Sequence, residues 1–234
     1  MMNRPRFLVK HHMGMGDHIV HNGMVRKIAR DYPDYQICLG TKSHYWENVK
    51  YMYRDNPQIT VINVGDDEGL HRMCHFEKFD KIISSHFADG NPYHYEIFYD
   101  DAFYKLVNMD PEIKKEYFYL DRDSNLENRI YDELVTSQGI TGEYLFVHEK
   151  RDYNVLIDKN RLEPNIPVVV ADPKYGIFEL LKVIENAKSV HVISSCFLSL
   201  FMCKKYNQNI FAHMYCDRAF LAPYIKKHDI EILL

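Results

Sequence analysis

The residues with the most chemistry to offer fall in three short stretches. The first, Lys10-His11-His12-Met13-Gly14-Met15-Gly16-Asp17-His18, sets a carboxylate directly after a Gly-x-Gly pair. The second, His148-Glu149-Lys150-Arg151-Asp152-Tyr153, is basic at its centre. The third, Ser194-Ser195-Cys196-Phe197, places two hydroxyls just ahead of an apolar segment. Such groups suit group transfer from a diphosphate donor. A carboxylate takes the proton of an incoming hydroxyl, while cations and free backbone N–H groups hold the departing phosphate charge.

The elements around these stretches decide whether they can act together. Phe7-Leu8-Val9 reads as a buried strand, and Ile19, Val20, Met24, Val25, Ile28 and Ala29 follow at helical spacing. Gly14 and Gly16 thus stand in a strand–loop–helix unit, where the backbone turns tightly or a ligand comes close. Asp17 stands at the helix start, where a side-chain oxygen can cap free N–H groups. Tyr32-Pro33-Asp34 stops that helix. Strands then follow at Gln36–Leu39, Ile59–Val64 and Lys81–Ser84, with helices at Ser43–Tyr53 and Tyr95–Met109.

Near Asp121-Arg122-Asp123-Ser124 the texture turns polar, an amphipathic helix runs to Gln138, and Gly139 and Gly142 frame a turn. A domain boundary belongs between about residues 115 and 142. The alternation then begins again, with strands at Tyr144–His148, Val168–Val170, Val190–Ile193, Ile210–Ala212 and Ile230–Ile232, and helices at Ile177–Ala187 and Ser195–Tyr206. The expected fold class is α/β, as two Rossmann-like domains, 1–120 and 121–234. Parallel sheets with right-handed crossovers would face a cleft lined by the carboxyl ends of both.

Composition narrows the function. A net charge of −4 over 234 residues argues against a general nucleic-acid binder. No apolar run approaches the roughly 20 residues that span a bilayer, which leaves room only for transient association with a membrane surface. The start leads straight into the first strand with no signal peptide, and the cysteines are scattered and odd in number. Both point to reduced thiols in a cytoplasmic setting.

Arg6-Phe7-Leu8-Val9-Lys10-His11-His12-Met13-Gly14-Met15-Gly16-Asp17-His18-Ile19-Val20 resembles the opening of the ADP-heptose–lipopolysaccharide heptosyltransferases, glycosyltransferase family nine. Leu180–Lys188, followed by Val192-Ile193-Ser194-Ser195-Cys196-Phe197-Leu198, is similar to that family's donor-binding strand–loop–helix. The resemblance implies a GT-B fold, an unusually small one here, with an acceptor-side N-terminal domain and a nucleotide-sugar-binding C-terminal domain. It implies Asp17 as the base of an inverting reaction. The family's C-terminal loop, however, has an acid, then Thr-Gly. Here Ser194, Ser195 and Cys196 stand in those places, and Ser199 replaces a histidine on the next helix. Phe146–Asp152 is faintly similar to the His-x-Arg-Arg segment of fucosyltransferases, which makes Arg151 the first phosphate ligand and Lys150 the second.

The expected activity is transfer of a sugar from a nucleotide-sugar donor to a glycan acceptor, with Asp17 as general base. Gly14, Gly16, His148, Lys150, Arg151, Ser194, Ser195 and Cys196 would serve the donor and its phosphates. His12 and His18 would meet the acceptor or line the cleft. No cofactor or metal is expected, because the histidines near Asp17 lack a further ligand motif. The alternative is a non-catalytic nucleotide- or glycan-binding module, suggested by Ser194 in place of the acid. A redox Rossmann enzyme fits less well, since the first loop lacks a third glycine and Leu39-Gly40-Thr41 offers no acid for a ribose.

Overall fold

The first strand, β1 (Arg6–Lys10), buries Phe7, Leu8 and Val9. An unbroken apolar run is what a strand covered on both faces requires. The computed structural model describes residues 4–86, 99–150, 155–214, 225 and 228–233. The chain divides into two compact units, Met1–Asp121 and Arg122–Leu234.

In the first unit β1 is followed by α1 (Met15–Asp31), β2 (Gln36–Lys42), α2 (Trp46–Met52), β3 (Ile59–Gly65), α3 (Asp67–Phe76) and β4 (Lys81–Ser84). All strand pairs are parallel, in the order β3-β2-β1-β4. The chain therefore works outward from β1 to β3, then crosses back to lay β4 on the other side of β1. That reversal makes the carboxyl ends of β1 and β4 a topological switch point, where open α/β sheets take their ligands. Asp66 caps α3 by accepting the Gly69 N–H at 2.7 Å, so the acidic run Asp66-Asp67-Glu68 has a structural task at the start of that helix.

Two further helices, α4 (Tyr99–Leu106) and α5 (Ile113–Glu116), pack on α1. The Tyr104 hydroxyl donates to the Val20 carbonyl at 2.8 Å and accepts the Met24 N–H at 3.1 Å. Buried Lys114 pairs with Asp100 and, at 2.7 Å, with Asp101. Gly23 lets α5 approach α1, because a Cβ there would stand 2.5 Å from the Ile113 carbonyl oxygen. The sequence predicts a helix over 95–109; α4 occupies part of it, and 95–98 lie outside the described residues.

The second unit runs α6 (Ser124–Leu134), β5 (Leu145–His148), β6 (Val168–Val170), α7 (Leu181–Glu185), β7 (Ser189–Ile193), α8 (Cys196–Cys203), β8 (Asn209–His213) and β9 (Ile230–Leu233). Its parallel sheet has the order β6-β5-β7-β8-β9, so the reversal lies between β5 and β7. Here α7 is shorter than the spacing of Ile177–Ala187 predicts. The Glu179 carboxylate accepts the Gly176 N–H at 2.8 Å and the Glu179 N–H returns to the Gly176 carbonyl, which winds 177–180 as tight turns. Likewise α8 stops at Cys203, because Lys204 is extended. The crossover from β5 to β6 carries, among its described residues, a single 3-10 turn at Lys159–Arg161. Among the described residues no helix is long and apolar enough to cross a membrane.

Candidate functional site

In the first unit the helix α1 starts at Met15 with Gly14 as its N-cap. Asp17 is therefore the third helical residue and not the cap itself. Its Oδ2 reaches back to accept the Gly14 N–H at 3.1 Å. Gly14 has φ −70°, ordinary for any residue, so its value lies in the missing side chain: a Cβ would stand 2.6 Å from Asp17 Oδ2. Gly14 thus makes room for the carboxylate, and its N–H is committed to Asp17 instead of being offered to a phosphate. Gly16 lies on the first turn of α1, half-buried.

Asp17 is half-buried. Burial pushes its carboxyl up to about 6, although the Gly14 N–H and the charge of Lys42 both pull it down. A carboxyl at that level is ionised at neutral pH yet still basic enough to take a proton from a hydroxyl. Lys42, at the end of β2, is itself paired with Asp67 at 2.7 Å.

Histidines cluster around the start of α1. His12 stacks on His86, just beyond β4, with ring centroids 3.9 Å apart. His21 donates from Nδ1 to the Asp17 carbonyl at 2.7 Å, which leaves Nε2 to accept the Ser85 hydroxyl at 2.7 Å. The backbone of Asp17 is thereby tied to the end of β4. His11 stacks on His21 at 4.3 Å and meets His18 edge-on at 4.7 Å. His18 is fully buried with both ring nitrogens unpartnered, so it does not line an opening as the sequence suggests. One step further round the helix from Asp17 turns it inward against His11. Among the described residues no three histidine, cysteine or acidic side chains are placed to hold a metal ion. The sequence reading missed Lys42, Ser85 and His86. The last two follow a strand predicted from Lys81 to Ser84, and a search of the strand-end positions would have found them.

In the second unit β5 ends at His148 and β7 runs into Ser194 and Ser195, the two sides of the switch point. Ser195 is the N-cap of α8, its Oγ accepting the Phe197 N–H at 3.3 Å. The same Oγ lies 3.2 Å from His148 Nδ1, and the Phe197 ring stacks on the imidazole at 4.1 Å. Burial, helped by the charge of Lys150, lowers His148 to about 4, so the ring is neutral. Burial also pushes the Cys196 thiol up to about 11, which makes it a small protonated side chain and not a nucleophile. Ser194 is half-buried and Lys150 exposed. Arg151 lies outside the described residues.

A cavity of about 640 Å³ opens over the β5–β6 side of this sheet. Its floor is apolar, with Val147, Ile157 and Val170, and Glu149, Lys159 and Asn160 are among its polar lining. Strand alternation puts Val147 on the face opposite His148.

No family model and no curated protein matches this chain. Solved structures do. A glycosyl transferase of family 9 from Veillonella parvula superposes with a TM-score of 0.61 at 12% identity, covering 100% of this chain and 88% of the other. The ADP-heptose lipopolysaccharide heptosyltransferase II of E. coli gives a TM-score of 0.56 at 10% identity, covering 97% and 90%. The fold is shared with family nine glycosyltransferases. At these identities the likeness is one of architecture, an α/β chain of parallel sheets, and the residues of the site must speak for themselves.

Proposed function

We propose that the chain is a small GT-B-type glycosyltransferase, moving a sugar from a nucleotide-sugar donor to a carbohydrate acceptor. The observation that carries this reading is the Asp17 carboxyl, half-buried at the switch point of the first unit and raised to about 6. It sits where ligands bind in such sheets and holds the proton affinity of a general base. The first unit takes the acceptor and the second the donor.

In the proposed reaction the acceptor hydroxyl attacks the anomeric carbon while Asp17 takes its proton. The bond from that carbon to the phosphate oxygen breaks, and the nucleoside diphosphate leaves. One displacement from the opposite side inverts the anomeric centre. Gly16 admits the ligand closely, and His12 meets the acceptor. The leaving charge is met by Lys150, by His148 and by N–H groups at the start of α8 near Ser194, Ser195 and Cys196, with Arg151 beside them in sequence. These groups are the basis for a metal-independent reaction, and the chain's Asp-x-Asp pair is engaged elsewhere, Asp121 with Arg54 at 3.2 Å and Asp123 as the cap of α6. The cavity over β5 and β6 suits a nucleoside, with an apolar floor for a base and polar groups for its edges.

A thermal-shift screen of nucleotide sugars against the full chain identifies the donor, because a ligand that binds the folded state raises the melting temperature. With that donor, Asp17→Asn should abolish transfer while nucleotide binding stays within a few-fold. Unchanged turnover in Asp17→Asn refutes the assignment. A second reading is a binding module without chemistry. It is favoured by the Asp17–Gly14 bond, which gives the carboxylate a capping task, and by Ser194 in place of an acid. Acceptor-dependent release of free nucleoside diphosphate would exclude it.

A further inference from the structure

The hydroxyl of Ser195 has two duties that fix its own proton. Its oxygen accepts the Phe197 N–H at 3.3 Å as the cap of α8, and it lies 3.2 Å from His148 Nδ1. Both atoms are best satisfied when the Ser195 O–H donates to Nδ1, since the oxygen's remaining proton then has an acceptor. We infer that Ser195 holds His148 as the Nε2–H tautomer, so that the ring presents one neutral N–H donor to the diphosphate of the nucleotide sugar. This rests on the donor-binding reading of the second unit. It also changes the role of Ser195, which becomes a positioning residue whose hydroxyl is spent on the histidine.

Three observations support it besides the hydrogen bonds. Phe197, stacked at 4.1 Å and 29°, fixes the plane of the imidazole, so Nε2 keeps one direction. Nε2 has no hydrogen-bond partner among the described residues and is not sealed from solvent, which leaves it for a ligand. The strand-end position of His148, opposite Val192 across the β5–β7 pair, puts that N–H at the switch point. Lowered to about 4, the ring stays neutral through the physiological range. A neutral donor suits a site where Lys150 already supplies charge. It strengthens its bond as charge builds on the leaving oxygen and keeps its own proton.

Two measurements on the full chain test this. In the first, nitrogen-15-labelled histidine is followed by NMR, with His148→Gln identifying the His148 signals. From pH 6 to 8 the wild type should show Nε2 protonated and Nδ1 bare, and Ser195→Ala should show a mixture of tautomers. In the second, inorganic pyrophosphate is titrated calorimetrically. His148→Gln, whose amide N–H falls near the Nε2 position, should bind within about threefold of wild type, whereas His148→Phe, which keeps the stack on Phe197, should bind tenfold or more weakly. A protonated Nδ1 or an imidazolium at pH 7 overturns the tautomer. Wild-type affinity in His148→Phe overturns the contact while leaving the diphosphate site standing. Failure of wild type to bind pyrophosphate overturns the donor-site reading itself, and this inference with it.

Discussion

Asp17 Oδ2 accepts the N–H of Gly14 at 3.1 Å, in a space that exists only because Gly14 has no side chain. One carboxylate thus closes the first turn of its own helix and carries a proton affinity raised by burial. Capping and base chemistry pull in opposite directions, since the N–H bond favours the ionised form and burial disfavours it. Burial dominates, and the carboxyl rises to about 6.

Transfer should therefore depend on pH through this group. The ionised form is the base, so kcat/KM should climb about tenfold per pH unit below 6 and level off above it. Asp17→Asn should remove this limb and lower kcat by about 10²–10⁴. Initial rates from pH 4.5 to 8 with a screened donor check both outcomes.

Stability should move the other way. Asp17 holds its proton in the fold at pH values where the unfolded chain, near 3.8, has released it, so folding becomes less favourable as pH rises from about 4 to about 6. Asn keeps an acceptor for the Gly14 N–H without the buried charge. Asp17→Asn should therefore gain about 1–2 kcal/mol at pH 7.5, with the gain gone below pH 4. Urea midpoints of the two proteins at both pH values decide it; a mutant less stable at pH 7.5 would mark Asp17 as a structural cap first.

The buried histidines should make the chain acid-sensitive. Burial lowers His11, His148, His191 and His213 to about 4, and His18 and His21 also lie well below 6.5. Their contribution is intact above about pH 6.5, and it is lost as pH falls toward 4, because the unfolded chain takes up protons that the fold refuses. His18→Leu should flatten this slope and raise the melting temperature at neutral pH, since it removes a buried ring with two unpartnered nitrogens. Thermal melts between pH 4.5 and 7.5 show the effect.

Gly23→Ala should destabilise the first unit despite the better helix propensity of alanine. The new Cβ would press on the Ile113 carbonyl at 2.5 Å and on Lys114 Cα at 2.8 Å, and both are backbone atoms. Prising α5 from α1 should cost about 1–3 kcal/mol, read as a lower urea midpoint.

Much of this arrangement was legible in the residues. The strands announced themselves as apolar runs such as Phe7-Leu8-Val9, and the Gly-x-Gly-Asp and Ser-Ser-Cys loops fell at strand ends because strand and helix alternate. The failures are local. Asp17 reads as an N-cap because nothing in sequence tells a cap from a third helical residue that folds back. His18 looked like a cleft residue because one helical step, invisible in the string of letters, separates it from Asp17. Ser85, His86 and Lys42 join the site through strand order, and sheet order is not written in any one segment. The Ser195–His148 bond spans 47 residues and has no local signal at all.

A crossover with so little regular winding among its described residues has a mechanical price for the second sheet. β6, three residues long, keeps Val168 partly in water, and among the described residues it pairs with β5 alone. An edge so short should trade its amide hydrogens for deuterium well before those of central β7, and a molecule settling over Val147 and Val170 would slow that exchange first.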